Sequence, residues 1–131
     1  MTHAHAVIWL DHRSARVVSF SLEASDTVEI ESARDDQRLH RKSGIPGSGH
    51  AEDDRHLFEQ VVAALDDVPA ILIAGPGTAK KAFVQHLEAK HPDIARRVVG
   101  VETLDHPTHG ELLAFGRTFF KRVDRLGLAP G

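Results

Sequence analysis

The sequence predicts an α/β fold: a mixed five-stranded sheet of three antiparallel strands followed by helix-connected strands, with helices on its faces. Three observations carry that prediction. Ala70 to Ala74 is a short apolar run without polar alternation, bounded by Pro69 and Gly75, which suits a strand covered on both faces. Such strands belong to layered α/β architectures. Three short apolar or alternating segments open the chain with only turn residues between them, the pattern of consecutive antiparallel strands. Later apolar stripes recur at helical spacing between short strands, and right-handed crossovers then set consecutive parallel strands side by side. The sum is a ribonuclease-H-like arrangement, and fold alone leaves the activity open.

In order, His5 to Leu10 is a compact apolar strand and Ser14 to Leu22 a second, joined as a hairpin by Asp11-His12-Arg13. Asp26 to Ser32 alternates Val28 and Ile30 with polar residues, as expected of an edge strand with one solvated face. Ala33 to Ala51 holds no apolar face. A loop of that length is commonly functional or disordered, and it carries Arg34, Arg38, Arg41 and Lys42, then Gly44, Gly47, Gly49 and His50. A helix is predicted from about Glu52 to Asp66, with Leu57, Phe58, Val61, Val62 and Leu65 on one stripe. Glu52, Asp53 and Asp54 would suit the positive end of its dipole.

After the Ala70 strand and the turn Gly75-Pro76-Gly77, a helix buries Ala79, Ala82, Phe83 and Leu87 and leaves Lys80, Lys81, Glu88 and Lys90 wet. His91-Pro92-Asp93 ends or restarts helix, because proline disfavours helix in the residue before it. Arg97 to Val101 reads as a second buried strand. Thr108 and Glu111 form a capping box ahead of Leu112, Phe115, Phe119 and Val123, opening a final amphipathic helix that Gly127 and Pro130 stop.

At 131 residues the chain is expected to be one domain, 1–131. Its net charge of -3 argues against coating nucleic acid by bulk charge, so any such contact must be local. The absence of cysteine excludes disulfides and thiolate metal sites. No signal pattern or membrane-length apolar run is seen, and a cytoplasmic protein is expected, of undetermined oligomeric state.

The Gly75-Pro76-Gly77 turn with Lys80 one helical turn later has the makings of a phosphate site, but it lacks the full phosphate-loop spacing. A structural turn is the favoured reading. Ten histidines fall partly into pairs: His3 with His5, His40 with His50, His106 with His109. Zinc needs three or four converging ligands, so neither a metal nor another cofactor is expected. The first and fourth strands carry no acids, with Asp11 alone just beyond the first, so a two-metal nuclease is not expected.

The segment Ile71-Leu72-Ile73-Ala74-Gly75-Pro76-Gly77-x-x-Lys80-x-x-Phe83 resembles the middle domain of archaeo-eukaryotic class 1 peptide chain release factors and their Pelota-type paralogues. The order agrees as well. In those factors a basic loop with Gly-Gly-Gln precedes a helix running into this strand. Here His40-Arg41-Lys42 leads to Gly47-Ser48-Gly49-His50 and then the helix of Leu57 and Val61. The whole chain resembles one copy of that domain, similar to small bacterial members labelled translational machinery proteins.

The resemblance implies hydrolysis of the ester joining a nascent peptide to tRNA, with the ribosome and tRNA as partners. Gly47, Ser48, Gly49 and His50 would stand at the ester, and Arg41, Lys42 and Lys80 would meet RNA. Ser48 replaces the family's first glycine and His50 its glutamine. An imidazole can serve as a general base near neutral pH, which an amide cannot. The alternative is a non-catalytic ribosome-, RNA- or protein-binding module of the same fold.

Overall fold

In a computed structural model, residues 4–31, 48–65 and 67–126 are described. The elements are β1 (His5–Leu10), β2 (Ser14–Phe20), β3 (Ser25–Glu31), α1 (Ser48–Ala64), β4 (Ala70–Gly75), α2 (Ala79–Lys90), α3 (Pro92–Ala95), β5 (Val98–Thr103) and α4 (His109–Leu126). The sheet runs β3-β2-β1-β4-β5. β1 pairs antiparallel with β2 and β2 with β3, while β1 with β4 and β4 with β5 are parallel. This is the mixed, ribonuclease-H-like sheet that the sequence predicts.

Alternation along the inner strands builds two cores, because successive side chains of a strand point to opposite faces. Ile8, Leu10, Ala15, Val17, Ile71 and Ile73 face one side and pack with Leu57, Phe58 and Val61 of α1 and Phe83 and Leu87 of α2. Val7, Trp9, Val18, Phe20, Leu72 and Ala74 face the other, under Leu112 and Phe120 of α4. Every residue of β4 is buried, as its unbroken apolar run requires. The middle position of the sheet nevertheless belongs to β1.

The capping box at α4 forms as its spacing demands: the Thr108 N–H donates to Glu111 Oε1 at 2.8 Å and the Glu111 N–H to Thr108 Oγ1 at 3.1 Å. Asp11 closes the β1–β2 turn, its Oδ1 accepting the Arg13 and Ser14 N–H groups at 2.8 and 2.9 Å.

Three expectations are corrected. β5 is not a buried strand: it lies at the sheet edge, half-buried from Val98 to Gly100 and exposed beyond, with Val101 40% exposed. α1 begins at Ser48 rather than near Glu52, so Glu52, Asp53 and Asp54 fall beyond its first turn. Lys80 is not wet but buried, 6% exposed, on the face of α2 that lies against the sheet. The loop expected over 33–51 falls outside the described residues as far as residue 47.

Candidate functional site

Parallel β1 and β4 end side by side, and the turns leaving their carboxyl ends form a rim. From β1 comes Asp11-His12-Arg13, and from β4 comes Gly75-Pro76-Gly77-Thr78. In open α/β sheets this end is where ligands bind, since loops and helix starts converge there. α1 leads back into β4 from the opposite end of the sheet, so its first turn stands at this same rim.

The Gly-Pro-Gly turn is fixed by packing. A Cβ on Gly75 would lie 2.2 Å from the Leu10 carbonyl oxygen of the neighbouring strand, a distance no side chain tolerates. The Gly75 carbonyl accepts the Leu104 N–H at 3.0 Å. Lys80 folds back and donates its Nζ to the Gly77 carbonyl, tying the turn to the first turn of α2. Gly77 itself faces open space. The Gly-Pro-Gly-x-x-Lys pattern is thus an internal latch, and the ammonium that would have faced a phosphate is occupied within the fold.

Across the rim, the His12 ring bridges two elements. Its Nδ1 lies 2.8 Å from Asp54 Oδ2 on α1, and its Nε2 lies 3.3 Å from Thr78 Oγ1. In the tautomer whose Nδ1–H donates to the aspartate, Nε2 accepts from the threonine hydroxyl, the order of groups that orients an imidazole toward a hydroxyl. Thr78 stands at the N-cap of α2, where its side chain makes no capping bond. Asp54 is buried, and its Oδ1 has no hydrogen-bond partner among the described residues. The shared bond pins α1 to the β1–β2 turn a short way past the α1 start.

On the other side of β1, Trp9 is 2% exposed and its Nε1 donates to the Leu104 and Asp105 carbonyls, each at 3.0 Å. The His106 ring lies tilted at 5.0 Å from the Trp9 ring, and its Nε2 lies 3.6 Å from Asp11 Oδ2. The rim therefore collects Asp11, His12, Asp54, Thr78 and His106.

Of the residues that the sequence singles out, Ser48, Gly49 and His50 form the start of α1 in backbone. They precede Asp54 by six to four residues, about 6–9 Å along the axis at 1.5 Å per residue. Gly47, Arg41 and Lys42 lie outside the described residues. His12, Asp54 and Thr78 went unremarked as a site because 42 and 66 residues of chain separate Asp54 and Thr78 from the histidine. A second cluster, Glu59 with His86 and His91, escaped for the same reason. Hydrogen bonds from His91 and then His86 hold the Glu59 carboxyl below its ordinary value.

No family model matches the chain. A Pelota homolog from Natronomonas pharaonis is 36% identical over 64 residues, covering 47% of this chain and 18% of that protein. Among solved structures, the archaeal translation termination factor aRF1 matches with a TM-score of 0.61 at 13% identity, over 95% of this chain and 40% of that one. Pelota from Archaeoglobus fulgidus matches with a TM-score of 0.61 at 16% identity, over 94% and 32%. S. cerevisiae Dom34, described as a translation termination-like factor that interacts with Hbs1, gives 0.56 at 12% identity, over 85% and 31%. The chain thus spans two fifths or less of the length of these proteins. Its fold matches one part of each of the solved structures, and together with the Pelota stretch this supports a Pelota- and release-factor-like domain.

Proposed function

We propose that this protein is a cytoplasmic translation factor that acts at the ribosome on peptidyl-tRNA, hydrolysing the ester between peptide and tRNA in the manner of a release or rescue factor. One observation carries the reading: a 64-residue stretch at 36% identity to a Pelota homolog, within a fold that matches the translation termination factor aRF1 and a Pelota protein over nearly the whole chain. In this reading Gly47, Ser48, Gly49 and His50 face the ester, the last three from the backbone start of α1. Small residues there allow close backbone approach, and His50 takes the proton of the attacking water. Arg41 and Lys42 neutralise RNA phosphates. Lys80, buried on the Gly77 carbonyl, supports the RNA-facing rim from within.

A binding-only module of the same fold is the second reading, and it has its own observation: Ser48 and His50 stand where the resemblance calls for glycine and glutamine. Peptide release from ribosomal complexes and from free peptidyl-tRNA, measured with purified protein beside ribosome co-sedimentation, separates the two. Release above the uncatalysed rate supports hydrolysis. Co-sedimentation without release leaves the binding module.

A further inference from the structure

On the face of the sheet covered by α1 and α2, away from the rim, three ligand atoms converge. Glu59 Oε2 lies 2.6 Å from His86 Nε2 and 2.8 Å from His91 Nε2, and all three atoms lie within 4.8 Å of one another. We propose that Glu59, His86 and His91 form a divalent zinc-class metal site that staples α1 to α2 and to the start of α3.

The donor set fits such an ion. Two imidazoles and one carboxylate are a recurrent open zinc set, with a fourth position left for water. Four-coordinate bonds of about 2.0–2.1 Å place ligand atoms roughly 3.3 Å apart, so an ion would push Glu59 Oε2 back from the imidazoles that it touches at 2.6 and 2.8 Å and draw the two imidazoles, within 4.8 Å of each other, around itself. Magnesium or calcium would require a shell dominated by oxygen, which two imidazoles do not supply.

The ligands are also held from behind. The His86 ring packs at 5.4 Å from that of Phe58, a buried residue of α1. His91 caps two helices at once: its N–H donates to the Leu87 carbonyl at 2.7 Å, and its carbonyl accepts the Ile94 and Ala95 N–H groups, each at 3.0 Å. Glu59 projects from α1 with its side chain 47% exposed, while His86 is 10% and His91 28% exposed. Two anchored imidazoles and a carboxylate open to solvent give the ion both a fixed seat and an entry path. The site does not depend on the peptidyl-tRNA reading, because none of its residues belongs to the rim.

The test is calorimetric titration of chelator-stripped, tag-free full-length protein with Zn²⁺, paired with thermal unfolding. One ion per chain is expected, with Tm raised by at least about 5 °C at a hundredfold excess over Kd. Losing a ligand should cost more than the roughly 10–100-fold of losing an outer-shell partner, so His91→Ala and Glu59→Gln should each weaken binding at least that much. His106→Ala, outside the cluster, should leave it unchanged. Equal affinity in wild type and His91→Ala, or binding abolished by His106→Ala, overturns the proposal. Should His91→Ala fail to fold, Co²⁺ bound to the wild-type protein reads the site: paramagnetically shifted signals from two imidazoles support it, and their absence overturns it.

Discussion

His12 Nδ1 and Asp54 Oδ2 meet at 2.8 Å, joining the turn after the first strand to the helix that begins at Ser48. Asp54 is buried, so removing its imidazole partner leaves a desolvated carboxylate behind. His12→Ala should lower unfolding free energy by about 1–3 kcal/mol. A double-mutant cycle with Asp54→Ala should show coupling of at least about 0.5 kcal/mol. Strict additivity would mean that the contact does not hold α1 in place.

The two glycines of the turn should respond unequally. Gly75→Ala drives a Cβ into the Leu10 carbonyl and should cost at least about 2 kcal/mol, toward the upper part of the range for overpacking. Gly77→Ala meets nothing within 4 Å and should stay within about 0.5 kcal/mol, as at unencumbered surface sites. Chemical denaturation of the pair checks this, and equal effects would refute the close packing of Gly75 against Leu10.

Ile73 is fully buried against α1 and α2. Ile73→Ala should destabilise by about 2–5 kcal/mol, the range for a truncated core aliphatic. An unmoved denaturation midpoint would contradict its place in the core.

Burial against Phe120 and Phe20, whose rings lie 4.3 and 5.7 Å away, lowers the His5 pKa below 6.5, with Asp124 at 3.8 Å partly offsetting it. The unfolded chain then binds a proton that the folded chain refuses. The stability due to neutral His5 is complete above 6.5 and is lost as pH falls from there through the lowered folded value. His5→Phe should therefore show a flatter loss of stability between about pH 7 and pH 5 than wild type. Parallel profiles would show that His5 does not titrate this way.

The fold was legible where one local rule decided the outcome. The unbroken apolar run of β4 required two covered faces, and Thr108 with Glu111 announced the start of α4. β5 misled because its valines read as buried, whereas burial also depends on having a neighbour on each side, and β5 has one. Lys80 misled because its charge argued for water, while the Gly77 carbonyl offered a partner that no spacing rule reveals. The Glu59, His86 and His91 convergence depends on how α1 packs against α2, a tertiary relationship outside the reach of local pattern.

If Arg41 and Lys42 meet RNA, their joint replacement by alanine should flatten the salt dependence of ribosome binding by about one to two units in the log–log slope. An unchanged slope removes them from the interface.

Single-turnover peptide release from ribosome-bound peptidyl-tRNA, comparing wild type with His50→Ala and His50→Gln, reads the chemistry itself. Release by wild type should rise with pH as a catalytic imidazole gives up its proton, and His50→Ala should lose about 100-fold or more, the usual worth of a positioned base. Retained activity in His50→Gln would assign the residue to placing water rather than taking its proton. No release by wild-type protein that still binds ribosomes would contradict the catalytic account.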